Sequence, residues 1–87
     1  MTTEKLKSVL EFYNHYLDEV KNCSPKECPD DPTNFAHLMW MCDEAEMTQI
    51  PVGEVDKAMR WLGFIQGVLC AKGVFTLDEL RAHSRSS

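Results

Sequence analysis

The sequence predicts an all-α protein: a compact bundle of three main helices followed by a short C-terminal helix. Apolar residues recur at three- and four-residue steps over three long segments, which is the spacing of one helix face. Prolines and polar clusters separate these segments, and a capping motif opens a fourth. Eighty-seven residues suffice for one domain, 1–87, with a thin margin of stability.

The first helix is predicted from about Thr3 to Asn22, with Thr2 or Thr3 as its cap. Its buried face is predicted by the helical spacing of its apolar residues, which are Leu6, Val9, Leu10, Tyr13, Leu17 and Val20. The following stretch, CSPKECPDDP at 23–32, contains three prolines and cannot continue a helix. We therefore expect a loop there.

The second helix is expected to start at Thr33 or Asn34 and to run to about Met47, with two apolar faces. The third is expected from about Pro51 to Lys72, capped by Gly73. Val52, Val55, Ala58, Met59 and Leu62 should face inward along its first half. From 61 to 71 it is apolar nearly all round, which predicts burial on most sides.

The last helix has the clearest local signature, a capping box formed by Thr76 and Glu79. Phe75, just before the cap, is placed to pack on Leu80 as a hydrophobic staple. The helix should extend from Leu77 to about His83, and we expect the tail at 84–87 to fray.

Charge and hydropathy narrow the function classes. The net charge of −5 disfavours direct nucleic-acid binding, which needs basic residues to displace counterions. It suits either simple solubility or contact with a basic protein surface. The N-terminus lacks the apolar region of a signal peptide, and the longest uncharged apolar run falls far short of the ~20 residues that span a bilayer. We expect a cytoplasmic protein without membrane contact, whose cysteines stay reduced.

The candidates for chemistry are weak. Cys23 and Cys28 could hold zinc, pair, or be ordinary loop cysteines, and no second close pair follows them. Cys42 and Cys70 fall on apolar helix faces and read as buried small hydrophobes. Asp43 and Glu46 have the spacing of paired metal ligands, but no partner pair faces them. We therefore expect no enzyme activity, no bound metal and no cofactor.

The feature that stands out is Gly63-x-x-x-Gly67 in the third helix. Glycine inside a helix costs about 1 kcal/mol relative to alanine, so two of them suggest close approach of another backbone. That backbone could be the first or second helix of this chain, or another molecule. Candidate interface residues are Trp40, Met47, Arg60, Trp61, Gly63 and Gly67. Candidate acidic contact residues are Asp30, Asp31, Asp43, Glu44 and Glu46.

Two stretches of the sequence resemble small accessory proteins of tailed bacteriophages and prophages. They are KAMRWLGFIQGVLCAKGVFTLDELRAHSR at 57–85 and HLMWMCDEAE at 37–46. The resemblance covers roughly the C-terminal half and carries no catalytic motif. It implies a phage accessory protein, a class that includes inhibitors of host defence such as anti-CRISPR proteins.

The leading hypothesis is thus a non-enzymatic binding protein that occupies a surface of a host protein in the host cytoplasm and forms a homodimer. The alternative is a small-ligand protein, binding or sequestering a nucleotide at a helical dimer interface lined by Arg60, Lys57 and His37. A third hypothesis is a metal-dependent enzyme that uses the carboxylates of Asp43 to Glu46, for which the sequence offers no second pair of ligands.

Overall fold

The structure is a computed structural model that describes residues 1–85, and within them all regular structure is helical. The elements are α1 (Thr3–Glu19), α2 (Phe35–Glu44), a π-helical stretch (Ala45–Gln49), α3 (Val55–Ala71) and α4 (Leu77–Ser84). The predicted all-α class, with three main helices and a short fourth, is confirmed. The prediction that the chain frays from residue 84 onward is wrong at Ser84, which belongs to α4. Residues 86 and 87 of the predicted tail lie outside the described part.

The core forms around α1, which packs against all three other helices. Its predicted inner face is fully buried at Leu6, Leu10, Tyr13 and Leu17. Each buried leucine contributes about 1.5–3 kcal/mol relative to an exposed one. Val9 of α1 also belongs to the buried core, and the rest comes from later elements: Leu38, Met39, Met41, Cys42, Ala45, Ala58, Leu62, Ile65, Val68, Leu69, Phe75 and Leu80.

The first helix ends at Glu19, three residues before the predicted Asn22. Asn22 adopts a left-handed conformation, with φ of 54°, and this reverses the chain. The Cys23 N–H then donates to the Leu17 carbonyl at 3.1 Å, which satisfies an end carbonyl of the helix. Val20 consequently lies outside the helix and is exposed, whereas the apolar pattern placed it inside.

The second helix starts as predicted, since the Asn34 side chain accepts from the Ala36 N–H at 2.8 Å. It does not stop at Met47 but widens into a π-helical turn. There the Ile50 N–H donates to the Ala45 carbonyl at 2.9 Å, five residues back instead of four. Such turns occur often at functional sites. The spacing of apolar residues in the sequence did not predict this π-helical turn.

The third helix begins at Val55, not at Pro51. Gly53, with φ of 87°, makes a turn that no helix can include. Val52 therefore sits in the turn and is exposed, and Met59 is also exposed, so both were wrongly predicted to face inward. The C-terminal cap is confirmed: Gly73 has φ of 73°.

The capping box of α4 is confirmed in both directions. The Thr76 hydroxyl accepts from the Glu79 N–H at 3.2 Å, and the Glu79 carboxylate accepts from the Thr76 N–H at 2.8 Å. These hydrogen bonds hold the pKa of Glu79 below its ordinary value. Phe75 and Leu80, the expected staple pair, are both buried.

A partly buried hydrogen-bond network ties the end of α4 to α1 and α3. The Tyr13 hydroxyl lies 2.9 Å from Nδ1 of His83 and accepts from the Gln66 amide at 3.0 Å. The same amide donates to the Ser84 hydroxyl at 2.7 Å. Buried polar groups are costly unless they are paired, so this network fixes where α4 lies along α3.

Candidate functional site

An open groove with a volume of about 630 Å³ lies between α3 and α4. We call it the apolar groove, since most of its lining is apolar or small. It is lined by Gly63, Gln66, Gly67, Cys70 and Ala71 of α3 and by Leu77, Leu80, Arg81 and Ser84 of α4. The volume falls within the usual range of ligand pockets.

The two α3 glycines form part of the groove wall and pack against nothing in the described chain. An ideal Cβ built at Gly63 or Gly67 meets no neighbouring atom within 4 Å. The interpretation that they pack against the first or second helix is therefore wrong. The prediction that α3 is buried on most sides is also wrong, because Gly63, Phe64, Gly67 and Ala71 are exposed. The glycines keep one side of α3 flat and open.

The other predicted interface residues are not all in one place. Trp40 and Trp61 are half-buried and stack on each other with ring centroids 5.8 Å apart. His37 stacks on Trp40 at 5.3 Å, and the Lys57 ammonium lies 5.7 Å from the Trp61 ring, so a cation–aromatic row joins α2 to α3. Met47, 77% exposed, lies on the π-helical turn. Arg60 is exposed on α3.

A second concavity, the acidic cleft, lies between α1 and α2 and has a volume of about 370 Å³. Its lining is rich in carboxylates and comprises Glu11, Asn14, His15, Asp18, Pro25, Met39, Asp43 and Glu46. The Asn14 amide donates to the Asp43 carboxylate across the cleft. The carboxylates of this lining are suited to bind a positively charged group.

Glu46 is the most perturbed carboxylate of the cleft. One of its oxygens, Oε1, is buried and has no hydrogen-bond partner among residues 1–85. Burial raises its pKa to about 7, and the charges of Glu11 and Asp43 act in the same direction, against a smaller opposite effect of Lys7. The π-helical turn carries Glu46, so the irregular backbone and the unusual carboxyl group coincide.

Only part of the predicted acidic surface comes together. Asp43 and Glu46 line the cleft, whereas Glu44, on the same helix, does not, and Asp30 and Asp31 are exposed in the preceding loop. The structure adds Glu11 and Asp18, two exposed carboxylates of α1. The sequence does carry a signal for these residues, because the four cleft residues of α1, at 11, 14, 15 and 18, share one helix face.

The cysteines are free thiols. Cys23 and Cys28 each donate to a backbone carbonyl two residues earlier, at 3.4 Å, and His37 accepts from the Cys28 N–H at 2.9 Å. Within residues 1–85 no group of three or more metal-binding side chains lies close enough to hold an ion. Cys42 is buried as predicted, which raises the pKa of its thiol, but Cys70 is only half-buried and lines the apolar groove.

Comparison with known proteins adds no assignment: the chain matches no protein-family model, and no curated protein or solved structure is significantly similar to it. In the described part of the chain, each helix is too short or too polar to cross a membrane.

Proposed function

We propose that this chain is a non-enzymatic binding protein that occupies a surface of a host protein, with the apolar groove as its main contact. The observation that carries this proposal is the open environment of Gly63 and Gly67. Two glycines in a helix interior together cost the fold about 1–2 kcal/mol relative to alanine. Because they pack against nothing within the described chain, close approach of a partner accounts for them where internal packing does not.

Exposed apolar side chains near the groove support a protein partner. Leu77, on the α4 wall, is 54% exposed, and Met59, one turn before Gly63, is 37% exposed. Phe64, next to Gly63 on α3, is 42% exposed. Large apolar and methionine side chains of this kind are enriched at protein interfaces. An apolar helix of the partner is the element that best fits a groove between two helices.

The acidic cleft offers a second contact, for a lysine or arginine of the partner. A cationic head group entering it would meet the carboxylates of Glu11, Asp18, Asp43 and Glu46. Together with the net charge of −5, this favours a basic host surface. The resemblance to phage accessory proteins points in the same direction, toward an inhibitor or modulator of a host system such as a defence component, acting in the host cytoplasm.

The second candidate function is nucleotide binding or sequestration at a helical dimer interface. The row of Lys57, Trp61, Trp40 and His37 favours it, because aromatic faces stack on bases and cations attract phosphates. Arg60 lies one residue before Trp61 and would add a further charge. Quenching of tryptophan fluorescence by added nucleotides, with calorimetry, separates this candidate from the first.

Photo-crosslinking in host cells tests the leading proposal. A photoreactive phenylalanine analogue is placed at Leu77 on the groove wall, or at Val52, which is also exposed but lies outside the groove. We expect a discrete adduct between this 10.0 kDa chain and one host protein from position 77, and none from position 52. An adduct of two copies of the chain would instead assign the groove to a homodimer. Equal adducts from both positions would overturn the proposal.

A further inference from the structure

A third concavity lies between the first turns of α1 and the end of α4, and we call it the donor cavity. Its volume is about 290 Å³, near the lower end of the range for ligand pockets, and it is lined by Lys5, Ser8, Val9, Phe12 and His83. It shares no lining residue with the apolar groove or the acidic cleft. Its polar lining consists of an ammonium, a hydroxyl and an imidazole, and no carboxylate lines it.

The tautomer of His83 follows from the hydrogen-bond network that it forms with Tyr13 and Gln66. The Tyr13 hydroxyl already accepts a hydrogen bond from the Gln66 amide, so all three groups are satisfied when this hydroxyl donates a hydrogen bond to Nδ1 of His83. The ring proton of neutral His83 then sits on Nε2, which has no hydrogen-bond partner in the described chain. Burial lowers the pKa of His83, which keeps the ring in this neutral, donating form near pH 7.

The other donors are also available. Lys5 makes no ion pair within residues 1–85, and no hydrogen bond of the Ser8 hydroxyl is found there. Glu79, whose charge acts on His83 from one turn earlier, is engaged by the Thr76 N–H at 2.8 Å. Lys5 and His83 line the same cavity, and the charge of Lys5 contributes to the lowered pKa of His83.

We propose that the donor cavity binds the phosphate group of a small phosphate monoester. Three donors with no competing carboxylate in the lining complement an anion that accepts several hydrogen bonds. Phe12, 42% exposed, and Val9 supply an apolar wall for the organic part of the ligand. The ring of Phe12 lies 4.9 Å from that of His83, so the apolar and donor parts adjoin.

Titration with phenyl phosphate at constant ionic strength, followed by NMR of the His83 ring protons, tests this proposal. We expect saturable shifts in the wild type. Lys5→Ala should lower the affinity for phenyl phosphate about tenfold or more, since a hydrogen bond to a charged group contributes about 1.5–3 kcal/mol. Lys7→Ala is the matched control, because it removes the same charge from α1 outside the cavity, and it should leave the affinity unchanged. Phenol, which has the ring without the charge, should give no saturable shift.

Absence of a saturable shift with phenyl phosphate would overturn the proposal. Equal weakening by Lys5→Ala and Lys7→Ala would do the same, because it would indicate general charge attraction. Equal binding of phenol would show an apolar site without anion recognition. Ser8→Ala, on the exposed surface of α1, provides a second variant that retains the core and should also weaken binding.

Discussion

Filling the apolar groove by replacing both Gly63 and Gly67 with leucine is expected to abolish the adduct formed from Leu77. Each leucine adds four carbon atoms to a wall that is now flat, so a partner helix could no longer approach α3. The fold should survive, because nothing lies within 4 Å of a Cβ at either position and leucine is a strong helix former. Circular dichroism and the crosslinking yield measure the two effects separately.

The matched control is Ala82→Leu, which adds similar apolar bulk to an exposed position of α4 outside the groove. It should keep both the fold and the adduct. Retention of the full adduct in the Gly63→Leu/Gly67→Leu variant would exclude the groove as the contact. Loss of helical structure in that variant would instead mean that the glycines serve the core.

The second large effect expected is a pH-dependent gain of stability in Glu46→Gln. The folded-state pKa of Glu46, about 7, lies above the ordinary value of 4.5, so the native protein favours the protonated form. The contribution of Glu46 to folding stability is fully present below pH 4.5 and is lost as the pH rises through 7. Glutamine should remove that loss and raise stability above pH 7 by about 1 kcal/mol, allowing for solvent screening, or about 4–8 °C in melting temperature.

Melting curves of the wild type and Glu46→Gln between pH 4 and 8 check this prediction. Glu44→Gln is the control, since Glu44 lies two residues away and does not line the acidic cleft. Its melting temperature should follow that of the wild type over the whole range. If the difference between Glu46→Gln and the wild type stays constant with pH, Glu46 is not held in the protonated form.

Local signals predicted the helices and several of their ends. The capping box at Thr76, the cap at Asn34 and the left-handed Gly73 depend on near neighbours in sequence, and all three are confirmed. The π-helical turn and the left-handed Gly53 were missed. Hydrophobic spacing does not distinguish a hydrogen bond to residue i−4 from one to i−5, and the glycine lay within an otherwise helical pattern.

The candidate site was less accessible to sequence reasoning, because it depends on which helix faces meet. Gly63 and Gly67 were singled out by their cost in a helix interior, but the sequence left open what lies opposite them. Glu11 and Asp18 are exposed, and the side chains with which they share a cleft depend on how α1 packs against α2. Burial likewise depends on the partner helix, which is why the apolar run at 61–71 was predicted to be more enclosed than it is.

Gly63 and Gly67 border open space in the described chain, and we propose that the groove they line receives a partner. The free energy of unfolding of Gly63→Ala/Gly67→Ala, measured by urea denaturation, tests this claim most directly. We expect a gain of about 1–2 kcal/mol, since alanine favours the helix and meets open space. Gly53→Ala, at a left-handed position, should lose stability in the same assay. A loss of stability in the Gly63→Ala/Gly67→Ala variant would contradict the account.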